Sequence, residues 1–87
     1  MKGGGDLVED MLFDPHDGFA ELDAHLEAMK AAADARGAPF DRHDARNELQ
    51  AATFRAGPSR VRLLLSPSGA LAIELRPLAS GGSGGDG

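Results

Sequence analysis

Few residues in this chain carry chemistry, and their spacing limits what each can do. His25 lies beside an apolar stripe at helical spacing, where an imidazole can act as a general acid or base or touch a ligand. The plainer alternative is an imidazole on a helix flank making a structural hydrogen bond, and no second catalytic group stands at a defined spacing from it. Arg60, Arg62 and Arg76, with Glu74 among them, fall on one face of a hairpin. They can bind a small anion, or they can line a solvated or interface-facing sheet surface with one cross-strand ion pair. Asp14, His16, Asp17, Asp41, His43 and Asp44 combine oxygen and imidazole ligands. Each falls at a turn or a helix start, where Asp caps free N–H groups. None has a recognised ligand spacing, so no metal site is expected. The glycine runs are terminal and lack the Lys-Ser/Thr or Asp that make a phosphate-cradling loop.

Composition narrows the field further. With 87 residues the chain has room for one domain, and a folded unit of this size buries only about 60% of what its unfolded form exposes. Of the apolar residues, 15 are Ala, and Tyr and Trp are absent. The core is therefore thin. Without cysteine there is no disulfide and no thiol chemistry, so oligomerisation is an expected route to stability. A net charge of −5 leaves no basic excess to neutralise phosphates, and nucleic acid is not an expected partner. No apolar run approaches the ~20 residues of a membrane span. Met1-Lys2 runs into Gly and Asp rather than an apolar leader. No membrane partner is expected, and the expected location is cytoplasmic.

The elements that must position these residues follow from the pattern. Residues 1–6 and the Gly/Ser-rich stretch 80–87 have the composition of a flexible end and of a flexible tail or linker, which leaves 7–79 as the foldable unit. Leu7 to Phe13 reads as a strand, apolar on both faces, with Leu7, Met11 and Phe13 on one and Val8 and Leu12 on the other. Asp14-Pro15-His16-Asp17-Gly18 is a turn cluster. Phe19 to Arg36 reads as a helix, because Phe19, Leu22, Leu26, Met29 and Ala33 form one apolar stripe before Gly37. A second helix runs from about Arg42 to Phe54, with Asp41 as its N-cap and Phe40 stapling onto Ala45.

The final hairpin has a derivable register. A two-residue loop would set its two apolar sets on opposite faces. A three-residue loop, Pro67-Ser68-Gly69, pairs Leu65 with Leu71, Leu63 with Ile73 and Val61 with Leu75, and places Arg62 against Glu74. The expected fold is α+β: a small two-layer domain whose antiparallel sheet, in the order strand-helix-helix-strand-strand, carries two helices on one face. The other face would expose Val8, Leu12 and Leu64, a patch suited to a second chain.

The run from Gly18 to Met29 carries a resemblance. Leu22, His25, Leu26 and Met29 match the Leu-x-x-His-Leu-x-Arg-Leu pattern on the first helix of class IV pyridoxal-phosphate enzymes. That family comprises the branched-chain and D-amino acid aminotransferases and aminodeoxychorismate lyase. Gly37 to Asp41, as Gly-x-Pro-Phe-Asp, and the hairpin from Arg60 to Leu78 also resemble it. The likeness is strongest to the lyase-like segment fused to aminodeoxychorismate synthase component I, with Glu9-Asp10-Met11 where Glu-Thr-Met is usual.

The resemblance implies the fold of the family's small N-terminal domain and a parent chemistry in p-aminobenzoate and folate synthesis. It also exposes two departures. Ala28 stands where the family's arginine grips the cofactor phosphate, and the Schiff-base lysine of the family comes from a later domain. The lysines here are Lys2, in a flexible end, and Lys30, on a polar helix flank. Neither offers the desolvation or neighbouring cation that makes a lysine nucleophilic at neutral pH. The expectation is a domain that is catalytically silent alone and binds no pyridoxal phosphate by itself. Its expected partner is a second copy, a larger C-terminal domain or another chain. The alternatives are a non-enzymatic dimerisation or docking module, and a half-enzyme completed in trans by a lysine-bearing chain.

Overall fold

The computed structural model describes residues 5–78. The readings for most of the N-terminal end and for the 80–87 tail lie outside the described residues. Four strands and two helices follow in the order β1 (Leu7–Asp14), β2 (Gly18–Phe19), α1 (Leu22–Arg36), α2 (Arg42–Ala52), β3 (Ser59–Leu65) and β4 (Leu71–Pro77). All pairings are antiparallel, and the sheet order is β2-β1-β3-β4. The α+β, two-layer expectation holds, with a fourth strand added.

The central strand β3 shows why one face is inner. Val61, Leu63 and Leu65 are buried, while Arg60 and Arg62 at the alternating positions are exposed. Above the inner face sit Leu26, Met29 and Ala33 of α1, and Ala45 and Leu49 of α2. Small residues on both helices let the layers approach closely, since a well-packed interior leaves no voids. Met11 from β1 closes the same core.

The hairpin register is as derived: Leu65 faces Leu71, Leu63 faces Ile73, Val61 faces Leu75 and Arg62 faces Glu74. Ser66 carbonyl accepts from Gly69 N–H at 2.9 Å, and Ser66 N–H donates to Ala70 oxygen at 2.9 Å, enclosing the loop Pro67-Ser68-Gly69. Gly69 sits at φ 96°, in the left-handed region that the turn requires.

Three boundaries differ from the sequence reading. Phe19 is not helical but lies in β2, opposite Phe13. Gly18 at φ 80° turns the chain back after the Asp14–Asp17 turn, and the rings of Phe13 and Phe19 meet with centroids 4.9 Å apart. Phe19 thus joins the core from a strand. An apolar residue three positions before Leu22 satisfies a helical stripe and a fold-back equally, so periodicity could not separate them. The helix then starts after Glu21, a non-glycine residue at φ 57°. The second helix ends at Ala52 rather than Phe54: Thr53, at φ −103° and ψ 10°, is its C-cap, with its hydroxyl donating to Leu49 carbonyl at 2.8 Å. Phe54 is left 80% exposed.

The remaining caps match expectation. Asp41 accepts from His43 N–H at 2.8 Å and from Asp44 N–H at 3.2 Å. Gly37, at φ 73°, closes α1, with Ala38 N–H returning to Ala33 carbonyl at 2.9 Å.

Candidate functional site

The sheet separates the chemistry-bearing residues into two groups. On the inner side, Glu9 alternates in phase with Leu7, Met11 and Phe13, so its carboxylate points under α1. There it meets His25, whose Nδ1 lies 2.7 Å from Glu9 Oε1; the side chains are 27% and 26% exposed, respectively. The imidazole is the partner that this inward carboxylate needs, since burying a charge without one is costly. No third titratable group joins them in an ion pair among the described residues. The pair ties α1 to β1. Glu9 was missed as a site residue, though its phase with Met11 was the available signal.

On the outer side, the ladder stacks two charged rows. Asp10, Arg62 and Glu74 lie side by side across β1, β3 and β4, and the next row is Leu12, Arg60 and Arg76. Asp10, Arg60, Arg62, Glu74, Leu75 and Arg76 line a shallow cavity of about 260 Å³. Arg62 Nε donates to Asp10 Oδ1 at 3.0 Å. That hydrogen bond, reinforced by the charges of Arg62, Arg60 and Arg76, holds the Asp10 carboxyl below its ordinary range. The three arginines named from the sequence are therefore brought together, and the ion pair of this face is Asp10–Arg62 across β1 and β3. Glu74 stands opposite Arg62 in register without bonding to it.

The same face is partly apolar. Val8, Leu12 and Leu78 are 45%, 46% and 39% exposed, and Leu64 is half-buried.

The residues named for cofactor and metal chemistry are dispersed. Ala28 is exposed on α1. Lys30 Nζ lies 3.0 Å from Asp34 Oδ1 one helical turn on, with 42% of the side chain exposed. Pyridoxal phosphate calls for a cationic clamp and a desolvated amine; Ala28, where the resemblance places the clamp, offers a methyl group, and Lys30 is solvated and ion-paired, so neither fits that group. Asp14 Oδ1 accepts from His16 N–H at 2.9 Å, and Asp41 caps α2, so both carboxylates act as turn and helix caps. Among the described residues no group of three His, Cys, Asp or Glu side chains converges as a metal site. No helix of the described residues is long and apolar enough to cross a membrane.

No family model matches the chain, and no curated protein matches it. Among solved structures, it is similar to a Mesorhizobium loti protein assigned provisionally as an amino-acid aminotransferase, with a TM-score of 0.76 and 27% sequence identity. The match covers 83% of this chain and 35% of that one. The chain thus has the fold of about one third of an aminotransferase-type structure, and its relation to pyridoxal-phosphate enzymes is one of fold.

Proposed function

We propose that this chain is a non-catalytic small domain related to aminodeoxychorismate lyase, whose part is to dock against a partner through its outer sheet face. The observation that carries the reading is Lys30. It is the lysine among the described residues, and it is paired with Asp34 in solvent rather than held in a cleft. The similarity in fold supports the lineage, and Ala28 in place of a cationic clamp supports the silence. The lyase lineage, and with it p-aminobenzoate and folate synthesis, rests on the sequence resemblance.

The docking half of the proposal rests on Val8, Leu12 and Leu78, which no element among the described residues covers. The partner is a larger lysine-bearing domain or a second copy. Equilibrium dialysis of the chain against pyridoxal phosphate tests the silence. The expected result is no retained cofactor, and retention at one equivalent would contradict it.

A further inference from the structure

Arg60 and Arg76 face each other directly across β3 and β4. The ladder phase is set by the bond from Ser66 N–H to Ala70 oxygen, so 64/72, 62/74 and 60/76 are the hydrogen-bonded pairs. Cα atoms in such a pair lie about 5.5 Å apart, and like charges placed so are destabilising. Among the described residues, no carboxylate approaches within 4.0 Å of either guanidinium. Arg62, by contrast, is engaged by Asp10. In a chain of net charge −5, this leaves two free guanidinium forks side by side in a concave part of the sheet.

We propose that the Arg60–Arg76 pair is a binding site for the head group of a small organic monocarboxylate. Two planar donor forks at this spacing can grip one carboxylate from both sides. The cavity holds three guanidiniums and two carboxylates, a surplus of one positive charge, which suits a single negative charge. Asp10 and Glu74 on its rim repel a dianion. Leu12, opposite Arg60 and 46% exposed, gives the apolar body of the ligand a surface to lie on. The site shares its face with the proposed docking surface but requires no partner and no cofactor, so the unpartnered chain tests it separately.

The experiment is titration of the full 87-residue chain with butyrate, followed through the arginine Nε–Hε NMR signals, in parallel with chloride and inorganic phosphate. The expected result is saturable shifts at Arg60 and Arg76 with butyrate, weaker effects with phosphate, and no shift at Arg42 or Arg46 on α2. Arg60→Gln and Arg76→Gln are each expected to weaken binding at least about tenfold. Both variants are expected to keep or raise the melting temperature in low-salt buffer, because each removes a like-charge contact. Equal curves for butyrate and chloride, or phosphate binding as tightly as butyrate, would overturn the proposal. So would a fall in melting temperature in both variants without ligand, which would make the pair structural.

Discussion

Glu9 and His25 join the sheet to the first helix: the carboxylate Oε1 and the imidazole Nδ1 are 2.7 Å apart at the seam between β1 and α1. This contact spans 16 positions and fixes α1 over the inner face, where Leu26 and Met29 are buried. Removing His25 leaves the Glu9 carboxylate facing the core without its partner. His25→Ala is therefore expected to cost about 1–3 kcal/mol in denaturant unfolding. A double-mutant cycle with Glu9→Ala should show favourable coupling. Strict additivity would mean that each side chain is satisfied by water.

Gly69→Val is expected to destabilise the chain by about 1–3 kcal/mol, since a β-branched residue is strained at positive φ. A Cβ at this position would also meet Pro39 oxygen at 3.1 Å, so the hairpin tip is pressed against the segment between the helices. Ser68→Ala removes only the exposed Ser66–Ser68 hydroxyl contact and should be nearly silent. Thermal denaturation of the two variants side by side checks this. Equal shifts would refute the turn.

The Asp10 carboxyl is held below the ordinary carboxylate range, chiefly by the hydrogen bond from Arg62. A depressed carboxylate contributes stability in full above its unfolded value, and loses it as pH falls through the lower folded one. Asp10→Asn should therefore lower stability near neutrality, converge with the parent in acid, and so flatten the acid limb of the stability profile. Both side chains are nearly half exposed, so added salt should shrink the effect. An unchanged acid limb in Asp10→Asn would contradict the assignment.

Much of this was legible in the sequence because local chemistry and burial agreed. Pro67-Ser68-Gly69 specifies one loop length, and that length sets every pair from Leu65–Leu71 to Arg60–Arg76. Asp41 and Gly37 marked helix ends for the same reason. The two-residue strand β2 was not legible, because Phe19 keeps helical phase with Leu22 while packing from a strand on Phe13. The register of Arg62 against Glu74 holds, but its bonded partner was not legible. Register places Glu74 and Asp10 equally opposite it, on β4 and β1, and only the side-chain rotamers select Asp10.

The outer face is expected to drive weak association. Val8, Leu12 and Leu78 are solvent-facing in a chain whose core has little area to spare. Sedimentation equilibrium across micromolar to millimolar protein should show a concentration-dependent mass, and Leu12→Ser should abolish it without lowering the melting temperature. A strictly monomeric species at millimolar protein would show that this face is solvated when no other partner is present.

On the proposed reading, pyridoxal phosphate finds neither a cationic clamp nor a desolvated amine in this chain. The most direct test is reduction with borohydride after incubation with one equivalent of the cofactor, followed by peptide mass mapping. With Lys30 paired to Asp34 in solvent and Ala28 where the resemblance places the clamp, the expected result is no stoichiometric adduct on either lysine, and the same trace amount in Lys30→Arg. A single, stoichiometric, cofactor-mass adduct on Lys30 that disappears in Lys30→Arg would contradict the account.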